Sequence, residues 1–139
     1  AYKPAALTLS FANKAGDKLV GQRVAMEYNS NISLEKLIVE QLIAGPPFEG
    51  AYPTIPSETK LLNISIKDNI CYVNLDEGFL GTGYNVIESI PVYSIVNSLI
   101  ENTDAQKVQI SINGETNRMF RESINFDTIF EKNEGLIEQ

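Results

Sequence analysis

The sequence predicts an α+β domain: a two-layer sandwich of mostly antiparallel β-sheet with two helices packed on one face. Three observations predict it. Runs at 7–11, 62–66 and 108–112 alternate apolar and polar residues with period two, as half-buried strands do. Segments 34–43 and 90–100 carry apolar residues at helical spacing instead. Between them lie the turn formers: glycines, clustered prolines, Asp68-Asn69 and Asn113-Gly114. With 139 residues, 43% hydrophobic and 21% charged, the chain suits one domain that buries a core without disulfides. That domain is assigned to residues 1–139, with its core at about 6–120 and a C-terminal extension at 121–139.

In chain order, Leu7-Thr8-Leu9-Ser10-Phe11 reads as the first strand and Asn13 to Asp17, with Gly16, as a turn. Val20, Val24, Met26 and Tyr28 share one phase of the return strand, with Gln22 as the exception. Ser33 is placed to cap a helix, Ile32 and Leu37 to staple its start, and Leu34, Leu37, Ile38 and Leu42 to form its apolar face. Gly45 supplies the stop, and Pro46 and Pro47 prevent continuation. Leu62, Ile64 and Ile66, the Asp68-Asn69 turn, then Cys71, Val73 and Leu75 predict a second hairpin. Pro91 costs about 3 kcal/mol inside a helix but little in its first turn, so the second helix is expected to start near Ser89. Val108, Ile110 and Ile112 followed by Asn113-Gly114 predict a third hairpin, with residues 115–120 as its return strand. In the tail, Ile124, Phe126, Ile129 and Phe130 are expected to anchor, and the last residues to fray.

Composition narrows the chemistry. Eighteen acidic against eleven basic residues give a net charge of −7, with the basic residues scattered. A nucleic-acid partner needs clustered Lys and Arg to release counterions, so none is expected. There is no histidine, which removes the commonest base and metal ligand and any Ser-His-Asp or Cys-His arrangement. No catalytic residue, no metal site and no cofactor is assigned. The lone cysteine, Cys71, falls on the inward phase of a strand and reads as a small buried apolar residue. Asp76-Glu77 at a strand end is the one carboxylate pair that a hydrolase reading can use, but capping a helical turn explains it better. Gly81-Thr82-Gly83 lacks the lysine and the spacing of a phosphate loop.

One candidate interaction surface stands out in this reading: the loop Gly45, Pro46, Pro47, Phe48, Tyr52 and Pro53. Its aromatics either cover one end of the core, the commoner fate, or offer an anchor to a partner. An exposed strand edge is the other candidate.

Five segments together resemble the GerM domain family, the sporulation and spore germination domain. They are Leu42-Ile43-Ala44-Gly45-Pro46-Pro47, Ile55 to Leu62, Ile70 to Phe79, Val92 to Leu99, and Val108 to Gly114, in the family's order. The resemblance implies a non-catalytic domain of bacterial envelope lipoproteins, a protein-interaction or ring-assembly module that assembles with itself or with other envelope proteins. Peptidoglycan or another wall glycan is the alternative partner, and a carboxylate-based hydrolase the remote one. It also implies an extracytoplasmic location in a spore-forming bacterium, with membrane attachment only through a lipidated cysteine upstream of Ala1.

Overall fold

The computed structural model describes residues 1–139. Strands β1 (Tyr2–Ala12) and β2 (Leu19–Asn29) form a long hairpin, followed by helix α1 (Leu34–Ala44). A second hairpin, β3 (Leu61–Lys67) and β4 (Ile70–Leu75), leads through a short 3-10 turn (Glu77–Leu80) to helix α2 (Ser89–Asn102). Strand β5 (Lys107–Ile112), the two-residue strands β6 (Met119–Phe120) and β7 (Ile124–Asn125), and a 3-10 turn at Glu134–Leu136 complete the chain. The α+β class and the mostly antiparallel pairing agree with the sequence reading.

The local signals act as their chemistry requires. Ser33 Oγ accepts from the Lys36 amide at the start of α1, and Gly45 ends the helix at φ 97°, ψ 173°, a region open essentially to glycine. Asp68 and Asn69 both take positive φ in the β3–β4 turn. Helix α2 begins at Ser89, which places Pro91 in the first turn, where the missing amide has no helical partner to lose.

The strands sort into three sheets, ordered β1-β2, β3-β4-β5 and β6-β7. β5 lies parallel to β4, with Val73 beside Ile110, and α2 makes the long crossover that parallel neighbours need. Here the sequence expectation is corrected. The Asn113-Gly114 turn forms, with φ 50° and 81°, but residues 115–120 do not return along β5. A single Ile112–Glu115 bridge follows the turn, and only Met119 and Phe120 are strand, paired with β7. The reason lies in what holds β5. Asn74 Oδ1 accepts from the Gly114 amide at 2.7 Å, and Leu75 O from Asn113 at 2.8 Å, which ties the turn to the end of β4. The outer edge of β5 is already taken at Val108 by Phe130, through bonds of 2.8 and 2.9 Å.

The core lies between the two larger sheets and the helices. β1 supplies Leu7, Leu9 and Phe11, β4 supplies Cys71, Val73 and Leu75, β5 supplies Val108, Ile110 and Ile112, and the helices add Ile38, Leu42, Ile95 and Leu99. Full burial of each large apolar side chain contributes about 1.5–3 kcal/mol. The C-terminal segment belongs to this core. Phe126 is fully buried, its ring 6.3 Å from Phe79 and 6.1 Å from Phe120, and Phe130 meets Tyr93 edge-on at 5.8 Å. Nor does the chain end fray: Leu136 is buried and the Glu138 amide donates to Leu19 O at 2.8 Å. Ile129, expected as an anchor, is exposed.

Candidate functional site

The 45–53 loop runs along one end of the β1–β2 ribbon and is pinned at several points. Tyr52 and Ala12 exchange two backbone hydrogen bonds of 2.9 Å. Gln22 Nε2 donates to the carbonyls of Phe48 and Glu49 at 2.9 and 3.3 Å. Just beyond the loop, Thr54 is fully buried, its hydroxyl 2.7 Å from that of Ser94 on α2. Gly45 and Gly50 take φ near +97° and +98°, which lets the chain turn sharply on both sides of Phe48.

The aromatic side chains point outward. Phe48 is 56% exposed and Tyr52 43%, so neither covers the end of the core as the sequence reading favoured. Ala51 and Ile55 fill that role. Gly45, Pro46 and Pro53 are half-buried, and Pro47 is exposed beside Phe48.

Sequence reasoning missed what meets this loop. The turn at 13–17 and the segment 84–87 converge on Tyr52. Ile87 donates its amide to Gly16 O at 2.8 Å, and a side chain at Gly16 would lie 2.4 Å from Asn85 O, so the crossing requires glycine. Between these segments lies a cleft of about 220 Å³, lined by Tyr52, Pro53, Tyr84, Asn85 and Lys14 among others. Asn13, Lys14 and Tyr52 also line a more open depression that reaches Val20, Gly50 and Glu138. Tyr84 is 43% exposed, so two tyrosines face solvent across one cleft. Asn13 is committed to the turn: its amide group bonds Asp17, Lys18 and Glu138. Polar binding capacity there falls to Lys14, Asn85 and the tyrosine hydroxyls. The signal available in sequence was the exposed-type composition of 81–85, where Gly81 and Gly83 precede Tyr84 and Asn85.

The carboxylate pair is occupied with structure. Asp76 Oδ1 accepts from the Lys60 and Gly78 amides, closing the 3-10 turn and tying it to the start of β3. Both Glu77 oxygens accept from Arg118 Nη2 at 2.8 and 2.9 Å, and that hydrogen bond holds the Glu77 carboxyl below its ordinary range. Cys71 is fully buried, and desolvation, with a smaller contribution from Glu35, pushes its thiol up to about 12. Neither group is poised as a base or nucleophile. No helix is long and apolar enough to cross a membrane.

Comparison with known proteins gives a consistent picture. Residues 8–118 match the family model described as Germane, sporulation and spore germination. No curated protein matches. Among solved structures, the fold is similar to the tandem GerMN domains of the sporulation protein GerM from Bacillus subtilis, at 17% identity and a TM-score of 0.74. That match covers 100% of this chain and 48% of the other, so the chain spans about half the length of the tandem protein. The first GerMN domain of the same protein matches at 22% identity and a TM-score of 0.63, over 87% of this chain and 92% of that one. A Clostridium perfringens protein described as a lipoprotein matches at 20% identity and a TM-score of 0.65, over 95% and 89% of the two chains.

Proposed function

This chain belongs to the sporulation and spore germination family, and from that premise we propose that it is a non-catalytic interaction module of the bacterial envelope. In this reading the 45–53 loop docks other envelope proteins, and the domain is carried by a membrane-anchored lipoprotein. The observation that carries the reading is Phe48, a large apolar side chain 56% exposed on a backbone whose carbonyl Gln22 holds at 2.9 Å. A loop already fixed loses little conformational entropy on binding, so more of the burial of an aromatic anchor survives as affinity. The similarity to GerMN domains and to a lipoprotein supports an envelope setting. A photo-crosslinking residue at position 48 of the full-length protein, in a sporulating host, tests it. A discrete adduct with an envelope protein is expected, absent when the same residue replaces exposed Met119. No adduct from position 48 overturns the reading.

The cleft between Tyr52 and Tyr84 favours a second reading, wall-glycan binding. Exposed rings flanked by amides and an ammonium offer sugars both a stacking face and polar partners. Co-sedimentation with isolated cell walls decides it: binding lost in Tyr52→Ala with Tyr84→Ala supports it, and no enrichment of the native chain sinks it.

A further inference from the structure

The β1–β2 ribbon has two edges, and the structure treats them oppositely. On β1, Thr8, Ser10 and Ala12 turn their amides and carbonyls away from β2, and each group has a partner. Asn102 serves Thr8, Ser98 and Ser94 serve Ser10, and Tyr52 serves Ala12. By the register Thr8↔Arg23 and Ser10↔Gly21, the residues of β2 that face outward are Leu19, Gly21, Arg23, Ala25 and Glu27. Leu19 is covered by the chain end, through Glu138. From Gly21 to Glu27 no backbone or side-chain group of the chain bonds to the outward amides and carbonyls. The edge is regular, without a bulge. Such an edge is a template for strand addition.

We infer that this edge pairs with the same edge of a second copy, antiparallel about a two-fold axis at Ala25. The charges select both occupant and register. Outward-facing residues must lie opposite one another, so the possible centres advance along the strand one residue at a time. Centring on Arg23 opposes two arginines, centring on Glu27 opposes two glutamates, and centring on Val24 or Met26 sets Arg23 against Ala25 or Asn29 without an ion pair. Centring on Ala25 sets Arg23 against the second copy's Glu27, twice by symmetry. Arg23 now donates to Thr8 Oγ1 at 2.9 Å, and in the pair it exchanges a neutral acceptor for a carboxylate. On the other face the same register sets Val24 against Met26, which continues the apolar side of the ribbon. β1 is closed from Thr8 to Ala12, and its remaining half carries Pro4, which has no amide to donate, so strand addition on that side is interrupted and the pair closes as an isologous dimer.

This deepens the interaction reading and rests on it, but the two fail separately, because edge substitutions leave the Phe48 loop intact. Sedimentation equilibrium of residues 1–139 up to millimolar concentration is the test, with thermal melts confirming that each variant folds. A reversible dimer is expected. Arg23→Glu or Glu27→Arg alone places like charges opposite and weakens the dimer by about tenfold or more. The double variant exchanges the signs and restores it. Ala25→Pro removes an amide that is unpaired within the chain, so it abolishes the dimer while the monomer stays folded. A chain that remains monomeric throughout, or a dimer indifferent to the charge exchange, overturns the proposal.

Discussion

Asn102 and Thr8, 94 positions apart, face one another as two strands would. The Thr8 amide donates to Asn102 Oδ1 at 2.9 Å, and Asn102 Nδ2 donates back to the Thr8 carbonyl at 2.7 Å. One turn earlier on α2, Ser98 Oγ accepts from the Ser10 amide at 2.9 Å, and a turn before that Ser94 donates to the Ser10 carbonyl at 2.6 Å. A helix face with polar side chains at every fourth position thus replaces the missing neighbour of β1. The β1 edge is thereby filled from Thr8 to Ala12, and the hairpin forms a sheet of its own, apart from β3-β4-β5.

Asn102→Ala is therefore expected to destabilise the chain by about 1–3 kcal/mol, the cost of leaving polar groups without partners in a partly buried site. Chemical denaturation measures the loss. Hydrogen exchange should accelerate at the Thr8 amide and not at Leu9, whose amide faces β2. Equal acceleration at both would place the effect elsewhere.

That device was invisible in the sequence. Ser94, Ser98 and Asn102 sit among Ile, Val and Leu in an apolar helix, and periodicity weighs the apolar neighbours, not what three short polar side chains reach. The second helix itself, with Pro91 in its first turn, was legible because proline has few tolerated positions. The first two hairpins were legible for the same kind of reason: alternation and turn chemistry are local. The third was misread because Asn113-Gly114 announces a turn without saying where the chain goes next, and here Asn74, 40 positions away, decides. The 45–53 loop was found from its prolines. Its meeting with Tyr84 and Gly16 is tertiary and had no local mark.

Phe126 gives a sharper test of where the core ends. It is fully buried against Phe79 and Phe120, although it follows the last residue of the family match, at 118. Phe126→Ala should cost about 3–5 kcal/mol, as for other buried aromatics. A loss comparable to that of exposed Ile129→Ala would show that residues after 120 add little to the core.

The Glu77–Arg118 pair makes a prediction about acid. Arg118 lowers the Glu77 pKa below its ordinary 4.5, chiefly by hydrogen bonding. A group whose folded value is depressed contributes above its unfolded pKa, and that contribution fades as pH falls through the folded one. NMR titration of the Glu77 carboxyl should show a midpoint below 4.5 that returns toward it in Arg118→Ala. Both side chains meet solvent, so the change in melting temperature at neutral pH is expected to be small.

Cys71 makes the opposite prediction, in alkali. Its thiol is held up to about 12 from an ordinary 9.0, first by burial and then by Glu35. Between those values the unfolded chain has lost the proton and the folded chain keeps it, so the unfolded state binds fewer protons. Stability contributed by the neutral thiol is complete below pH 9 and declines as pH rises, by about 1.4 kcal/mol per pH unit for this one group. Lysines and tyrosines also titrate there, so the measurement is a difference between the native chain and Cys71→Ala. The variant starts less stable at pH 7, because a small cavity replaces the sulfur, and its denaturation free energy falls less steeply above pH 9. A thiol reagent added at pH 8 should modify the native chain only as fast as it unfolds. Parallel slopes for the two chains, or rapid labelling of the folded protein, would mean that the thiol reaches water.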